Sequence, residues 1–169
     1  MEIRPLEKSE AELFHSFRLR GLRECPEAFG STYEEESVQT PEEVRERFPC
    51  AEENFVLGAF DGAGRLVGVA GFYRQKYLKL RHVGVVWGMY VDPSERGRGV
   101  GRALLSALVE RAAGLDGLER IALDVVVSVE AARRLYLSQG FRPYAIEERA
   151  MKKDGVYYDL EHMVFSIKN

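Results

Sequence analysis

Apolar residues fall along this chain in two rhythms. From position 54 to 91 they come in short, nearly continuous runs, at 55–60, 66–73 and about 82–91, rich in Val, Phe and Gly. Runs of this kind predict strands, and Asp61-Gly62-Ala63-Gly64 between the first two predicts a hairpin. Ile121-Ala122-Leu123-Asp124-Val125-Val126-Val127 reads as a fully buried strand. Two more strands, at 141–148 and 156–167, are predicted about the turn Lys153-Asp154-Gly155. A short extended stretch, Ile3-Arg4-Pro5-Leu6, opens the chain.

Elsewhere the spacing is helical. Ser9 and Glu12 form a capping-box pattern ahead of a stripe of Leu13, Phe14, Phe17 and Leu22, which Pro26 and Gly30 break. Thr40, Pro41 and Glu43 mark a second helix start, with Val44 and Phe48 facing inward. Val100, Leu104, Leu105, Leu108 and Ala112 lie on one face of a third helix. A fourth, at 130–139, carries Ala132, Leu135 and Tyr136 on one side and stops at Gly140. The order β, α, α, β, β, β, α, β, α, β, β, without a repeat or linker, predicts one α/β domain over residues 1–169. Its simplest packing is a single mixed sheet with helices on both faces. The strand–helix–strand unit around position 97 is then a right-handed parallel crossover.

Composition narrows the function classes. A net charge of −3 argues against a general nucleic-acid binder. No apolar run approaches the ~20 residues that span a bilayer, and the amino terminus, with Glu2, Arg4 and Glu7, does not read as a signal peptide. Cys25 and Cys50 form no metal or disulfide framework, so no metal site and a cytoplasmic location are expected.

The chemistry concentrates in Arg96-Gly97-Arg98-Gly99-Val100-Gly101, between the strand ending at Val91 and the third helix. A helix begun through glycines presents unpaired backbone N–H groups and the positive end of its dipole, and lets a large anion approach closely. Glycines alone equally fit a tight strand-to-helix connection. Arg96, Arg98 and Arg102 favour a phosphate guest, although loop arginines can also be plain solvated charge. The loop lacks the Lys-Ser/Thr ending of a P-loop, and its glycines have the wrong spacing for a dinucleotide fingerprint.

Arg96-x-x-Gly99-x-Gly101, after Met89-Tyr90-Val91-Asp92-Pro93, resembles the acetyl-CoA-binding motif of the GNAT acetyltransferase superfamily. Ala132-x-x-Leu135-Tyr136-x-x-x-Gly140-Phe141 resembles that family's second cofactor segment. The resemblance implies the GNAT fold, with a bulged strand splayed from its neighbour, and Gly84 and Gly88 fit such a kink. It implies acetyl-CoA as cofactor, with backbone groups of Met89 and Val91 on the pantetheine arm. Amides of Gly97, Arg98, Gly99, Val100, Gly101 and Arg102 would hold the pyrophosphate, and Arg96 and Arg98 would add charge. Ser128 and Arg133 complete the expected cofactor contacts; Ser128 is placed there because Val129 stands where the family commonly has Asn. Tyr136 matches the tyrosine that protonates the departing thiolate, a role that suits a phenol un-ionised at neutral pH. A core tyrosine completing the helix's apolar face is the plainer alternative.

The reaction implied is direct transfer to a primary amine of a small molecule or peptide, without an acyl-enzyme. The general base stays open among Glu34, Glu35 and Glu36, with Asp124, His82, Tyr90 and Asp159 as further options. Ten glutamates between positions 24 and 53, against Arg45 and Arg47, would steer a cationic amine such as a polyamine if they wall the acceptor site, or form a solvated acidic face if they do not. Alternatives are a non-catalytic acyl-CoA sensor, an acyltransferase of other scope, and a binder of some other phosphate ligand. Family members are often dimers, so a homodimer is one state the resemblance allows.

Overall fold

The structure, a computed structural model, describes residues 1–167. Strand β1 (Glu2–Pro5) leads to α1 (Ala11–Glu24), α2 (Tyr33–Glu36) and α3 (Pro41–Arg47). Then come β2 (Cys50–Ala51), β3 (Asn54–Phe60), β4 (Leu66–Arg74) and β5 (Val83–Val91). Helix α4 (Val100–Ala113), β6 (Arg120–Val126), α5 (Glu130–Ser138), β7 (Arg142–Lys153) and β8 (Val156–Ser166) complete the order. The strands form one eight-stranded sheet ordered β1-β3-β4-β5-β6-β8-β7, with β2 added to β3. Among the described residues only β5 and β6 pair in parallel, across the α4 crossover.

Period-two burial assigns the two faces. Phe55, Leu57 and Ala59 of β3 pack with Leu104, Leu105 and Leu108 of α4 and with Tyr136 of α5. Val56 of the same strand packs with Phe14 and Phe17 of α1 and Val44 of α3. Helices α1 and α3 therefore cover the face opposite α4, as alternation along a strand requires. Among the described residues no helix is long and apolar enough to cross a membrane.

The structure departs from the sequence reading in four places. Ser9 does not cap α1: Glu7 and Glu10 form the box instead, because Glu10 is drawn back by Arg4 at 2.7 Å, and a 3₁₀ turn at Lys8–Glu10 precedes the helix. The capping box of Thr40 and Glu43 forms as read. An extra one-turn helix, α2, starts at a Thr32–Glu35 capping box, and the two-residue β2 precedes β3. Strand β7 continues to Lys153 through a bulge at which Arg149 takes a φ of 56° and its N–H donates to the Asp159 carboxylate at 2.7 Å.

The fourth departure concerns the kink. Gly84 sits in regular register opposite Arg74 and is small because a Cβ there would stand 2.3 Å from the stacked ring of Phe72. Gly88 alone makes the bend. Pairing passes from Val69–Tyr90 to Gly71–Trp87, so β5 carries one residue more than β4, and Gly88 absorbs it at a φ of 61°.

Candidate active site

Strands β5 and β6 pair only from Val83–Arg120 to Val85–Ala122. Past that point the bulge turns β5 away, and a cavity opens between them, bordered by Gly88, Met89, Asp124 and Tyr136. On the α4 side it continues into a cleft of about 480 Å³ lined by Met89, Val91, Arg96, Gly97, Gly99, Val100, Gly101, Arg102 and Tyr136. The volume is that of a cofactor-sized site.

The floor of this cleft is the start of α4. Gly97 and Gly99 take φ values of 77° and 84°, which other residues reach only under strain. Gly99 is the N-cap and offers no side chain to the first turn. The first helical hydrogen bond runs from Ala103 N–H to the Gly99 carbonyl. Among the described residues, none partners the amides of Gly97, Arg98, Gly99, Val100, Gly101 or Arg102. Gly101 faces Leu135, Met89 and Val91, where a Cβ would meet their side chains at 3.2, 3.5 and 3.7 Å and narrow the cleft. Free amides, a positive dipole end and a Cβ-free wall together suit a diphosphate.

The arginines divide. Arg96 and Arg102 border the cleft, and Arg96 Nε donates to the Val91 carbonyl at 3.1 Å. The exposed Arg98 pairs with Glu95 at 3.2 Å, outside the lining. Arg133 lies outside the cleft lining and grips the buried Glu161 carboxylate with two bonds of 2.8 and 2.9 Å, holding its pKa below the usual carboxylate value. Ser128 lies exposed on the turn before α5, also outside the lining.

Tyr136 is buried, with its hydroxyl directed at the Met89 sulfur, a weak acceptor 3.7 Å away. Burial raises its pKa to about 12, so at neutral pH it keeps a proton committed to no strong partner.

The acidic candidates separate as well. Glu35 is spent on the Thr32 cap and Glu34 is exposed, 3.8 Å from Lys153. Although burial opposes its charge, hydrogen bonds from Arg18 and Ser31 hold the Glu36 carboxyl below the usual range. Asp159 accepts the Arg149 amide, and His82 precedes β5 at the end still paired to β6. Burial, then the hydrogen bond to Glu24, pushes the Tyr90 phenol far above its ordinary pKa, and its ring packs on Phe17 under α1. Asp124 is the acid that reaches the cavity between β5 and β6. Behind it stands His162 of β8, with Nδ1 2.7 Å from the Asp124 carboxylate and Nε2 3.3 Å from Glu147 of β7. The Asp124 hydrogen bond raises the His162 pKa above its ordinary value. Of the ten glutamates in the segment 24–53, Glu35 and Glu43 are held in caps and Glu34, Glu36 and Glu53 in ion pairs, which is half of them.

The sequence profile of the acetyltransferase (GNAT) family matches residues 21–141. A Streptomyces griseus N-acetyltransferase is 38% identical over 72 residues, which are 43% of this chain and 37% of that protein, so the match spans well under half of that relative's length. The GNAT-family acetyltransferase of Streptococcus pneumoniae superposes with a TM-score of 0.87 at 25% identity, over 98% of this chain and 99% of that one. A GNAT-superfamily phosphinothricin acetyltransferase from Sinorhizobium meliloti, solved in complex with acetyl-CoA, gives a TM-score of 0.79 over 98% and 88% of the two chains; at 18% identity this is a likeness of fold.

Proposed function

The chain belongs to the GNAT acetyltransferase family, and from that premise we propose that it transfers the acetyl group of acetyl-CoA directly to a primary amine. The unpartnered amides of Gly97–Arg102 ahead of α4 carry this reading. They would hold the diphosphate, with Arg96 and Arg102 adding charge, while the unpaired edge of β5 beyond Val85 would orient the pantetheine arm. Acetyl-CoA, when bound, supplies an activated acetyl thioester.

The chain's own residues manage the protons. Asp124 receives the proton that the acceptor nitrogen must lose, since it alone of the acidic candidates borders the cavity. His162 fixes the orientation of that carboxylate through Nδ1. Tyr136 delivers its hydroxyl proton to the departing sulfur, being the buried donor whose present acceptor, the Met89 sulfur, is weak. Cys25 lies in the cleft beside Arg96, but among the described residues no side-chain base accepts a hydrogen bond from it, so direct transfer is favoured over an acyl-enzyme.

The test has two arms. Acetyl-CoA at about 100 times its Kd stabilises a single-site binder by ~2.7 kcal/mol, read as a rise in Tm. Release of free CoA thiol is then followed across an amine panel. No thermal shift at millimolar cofactor, or a shift without thiol release from any amine, defeats the reading. Asp124→Asn should lower kcat by about 10²-fold or more while leaving the thermal shift intact; an unchanged kcat removes Asp124 from the reaction.

A further inference from the structure

Arg18 of α1 crosses the inner face of the helix to reach the bulge in β5. Its Nε and Nη2 fork onto the Glu36 carboxylate at 2.7 Å each, and Nη2 also donates to Ser31 Oγ at 2.9 Å. Its guanidinium lies 5.5 Å from the Phe29 ring centroid and 5.6 Å from that of Trp87. Three sides are thus fixed. Nη1 is left over: it is buried, and it is the one buried side-chain polar atom among the described residues without a hydrogen-bond partner.

That nitrogen stands at the bulge, 3.0 Å from where a Cβ on Gly88 would lie. Buried donors are almost always paired, and an orphan in a native fold calls for a missing partner. Titration cannot relieve it, because a guanidinium keeps its proton. Charge is already balanced by Glu36, so the missing group is an acceptor oxygen, whether or not it carries charge. Because α1 covers the face opposite α4, Nη1 meets β5 from the side away from the cofactor cleft, where Arg18 lines a hollow with Glu36, Phe48 and Trp87.

We infer that Arg18 Nη1 is a specificity-determining donor for an oxygen of the acceptor, borne on the carbon next to the one that carries the reacting nitrogen. The acceptor class is then an α-amino acid or its amide, in preference to a simple alkylamine or a polyamine. This rests on the acetyltransfer reading above. Phe29 covers the guanidinium and borders both the splayed cavity and the cofactor cleft, so an acceptor oxygen coming from that cavity would reach Nη1 past this ring.

Thiol release measured on matched triplets tests this: an amino acid, its amide, and the amine left by removing the carboxyl group, across the common side chains. Wild type should favour a carbonyl-bearing member over its decarboxylated partner by about tenfold or more in kcat/KM. The paired variant Arg18→Met/Glu36→Gln, which leaves no lone buried charge, should erase that ratio, keep the rate on the decarboxylated amine within about threefold, and retain the acetyl-CoA thermal shift. Arg18→Lys provides a second reading of the same ratio if the paired variant does not fold. Equal wild-type rates on both members, or a ratio that survives the substitutions, overturns the assignment of Arg18 and leaves acetyltransfer standing. Absence of transfer to every amine removes the underlying activity, and this inference with it.

Discussion

Tyr136→Phe removes one oxygen from the buried side chain that joins the splayed cavity to the cofactor cleft. The structure separates its catalytic from its structural cost. The hydroxyl makes a single hydrogen bond among the described residues, to the Met89 sulfur at 3.7 Å, so less than ~1 kcal/mol of stability is at stake, and Tm should move by no more than about 4 °C. The ring keeps its edge contact with Phe141, with centroids 6.0 Å apart. Loss of a positioned general acid costs about 10²-fold or more in kcat, equivalent to ~2.7 kcal/mol on the barrier. Stopped thiol release under saturating acetyl-CoA measures this, with the acetyl-CoA thermal shift as the binding control. With its pKa raised to about 12 by burial, Tyr136 also contributes no fall in rate below about pH 10. A kcat within about threefold of wild type, or a rate lost together with the thermal shift, would falsify the acid role.

Three further outcomes follow from other parts of the molecule. Gly101→Leu should abolish the acetyl-CoA thermal shift, since the new side chain occupies the space between Leu135 and Met89; an undiminished shift would place the cofactor elsewhere. Gly84→Ala should cost about 3 kcal/mol in urea unfolding, because the added methyl meets the Phe72 ring at 2.3 Å inside the core, and a loss under ~1 kcal/mol would show that the ring is free to move. His162→Gln should destabilise the protein at about pH 5.5 and converge on wild type near pH 9. Its pKa is raised in the folded state, so its stabilisation is complete below the ordinary ~6.5 and fades as pH climbs through the folded value. An equal deficit at both pH values would count against the Asp124–His162 ion pair.

What the sequence made legible was local. The hairpin runs, the helical stripe from Val100 to Ala112 and the glycine turn each depend on residues within one turn or one strand, and all stand in the structure, which also brings Tyr136 to the cleft. So does the bend at Gly88, though Gly84 looked equivalent until the Phe72 ring was seen above it. Residues assigned by resemblance without a local constraint drifted: Arg98, Ser128 and Arg133 sit near the cleft in sequence but outside its lining.

The preference for Asp124 among the candidate bases was illegible for a different reason, which is topological. Asp124 and His162 are thirty-eight positions apart, and Glu147 lies on a third strand. They meet because β8 inserts between β6 and β7 instead of following β7 outward, an order that no periodicity encodes. Arg18 and Glu36 are likewise joined across eighteen positions by a one-turn helix too short to predict. In both cases the sheet's crossover, and the bulge that ends the β5–β6 pairing, decide which ionisable groups face the opening. Of the glutamates that suggested a cationic acceptor, Glu35 and Glu43 are spent on caps and Glu36 and Glu53 on arginines. At the bulge the buried side-chain polar atom that lacks a partner among the described residues is a donor, Arg18 Nη1, and a donor points to an oxygen on the acceptor more directly than a count of acidic residues points to a cation.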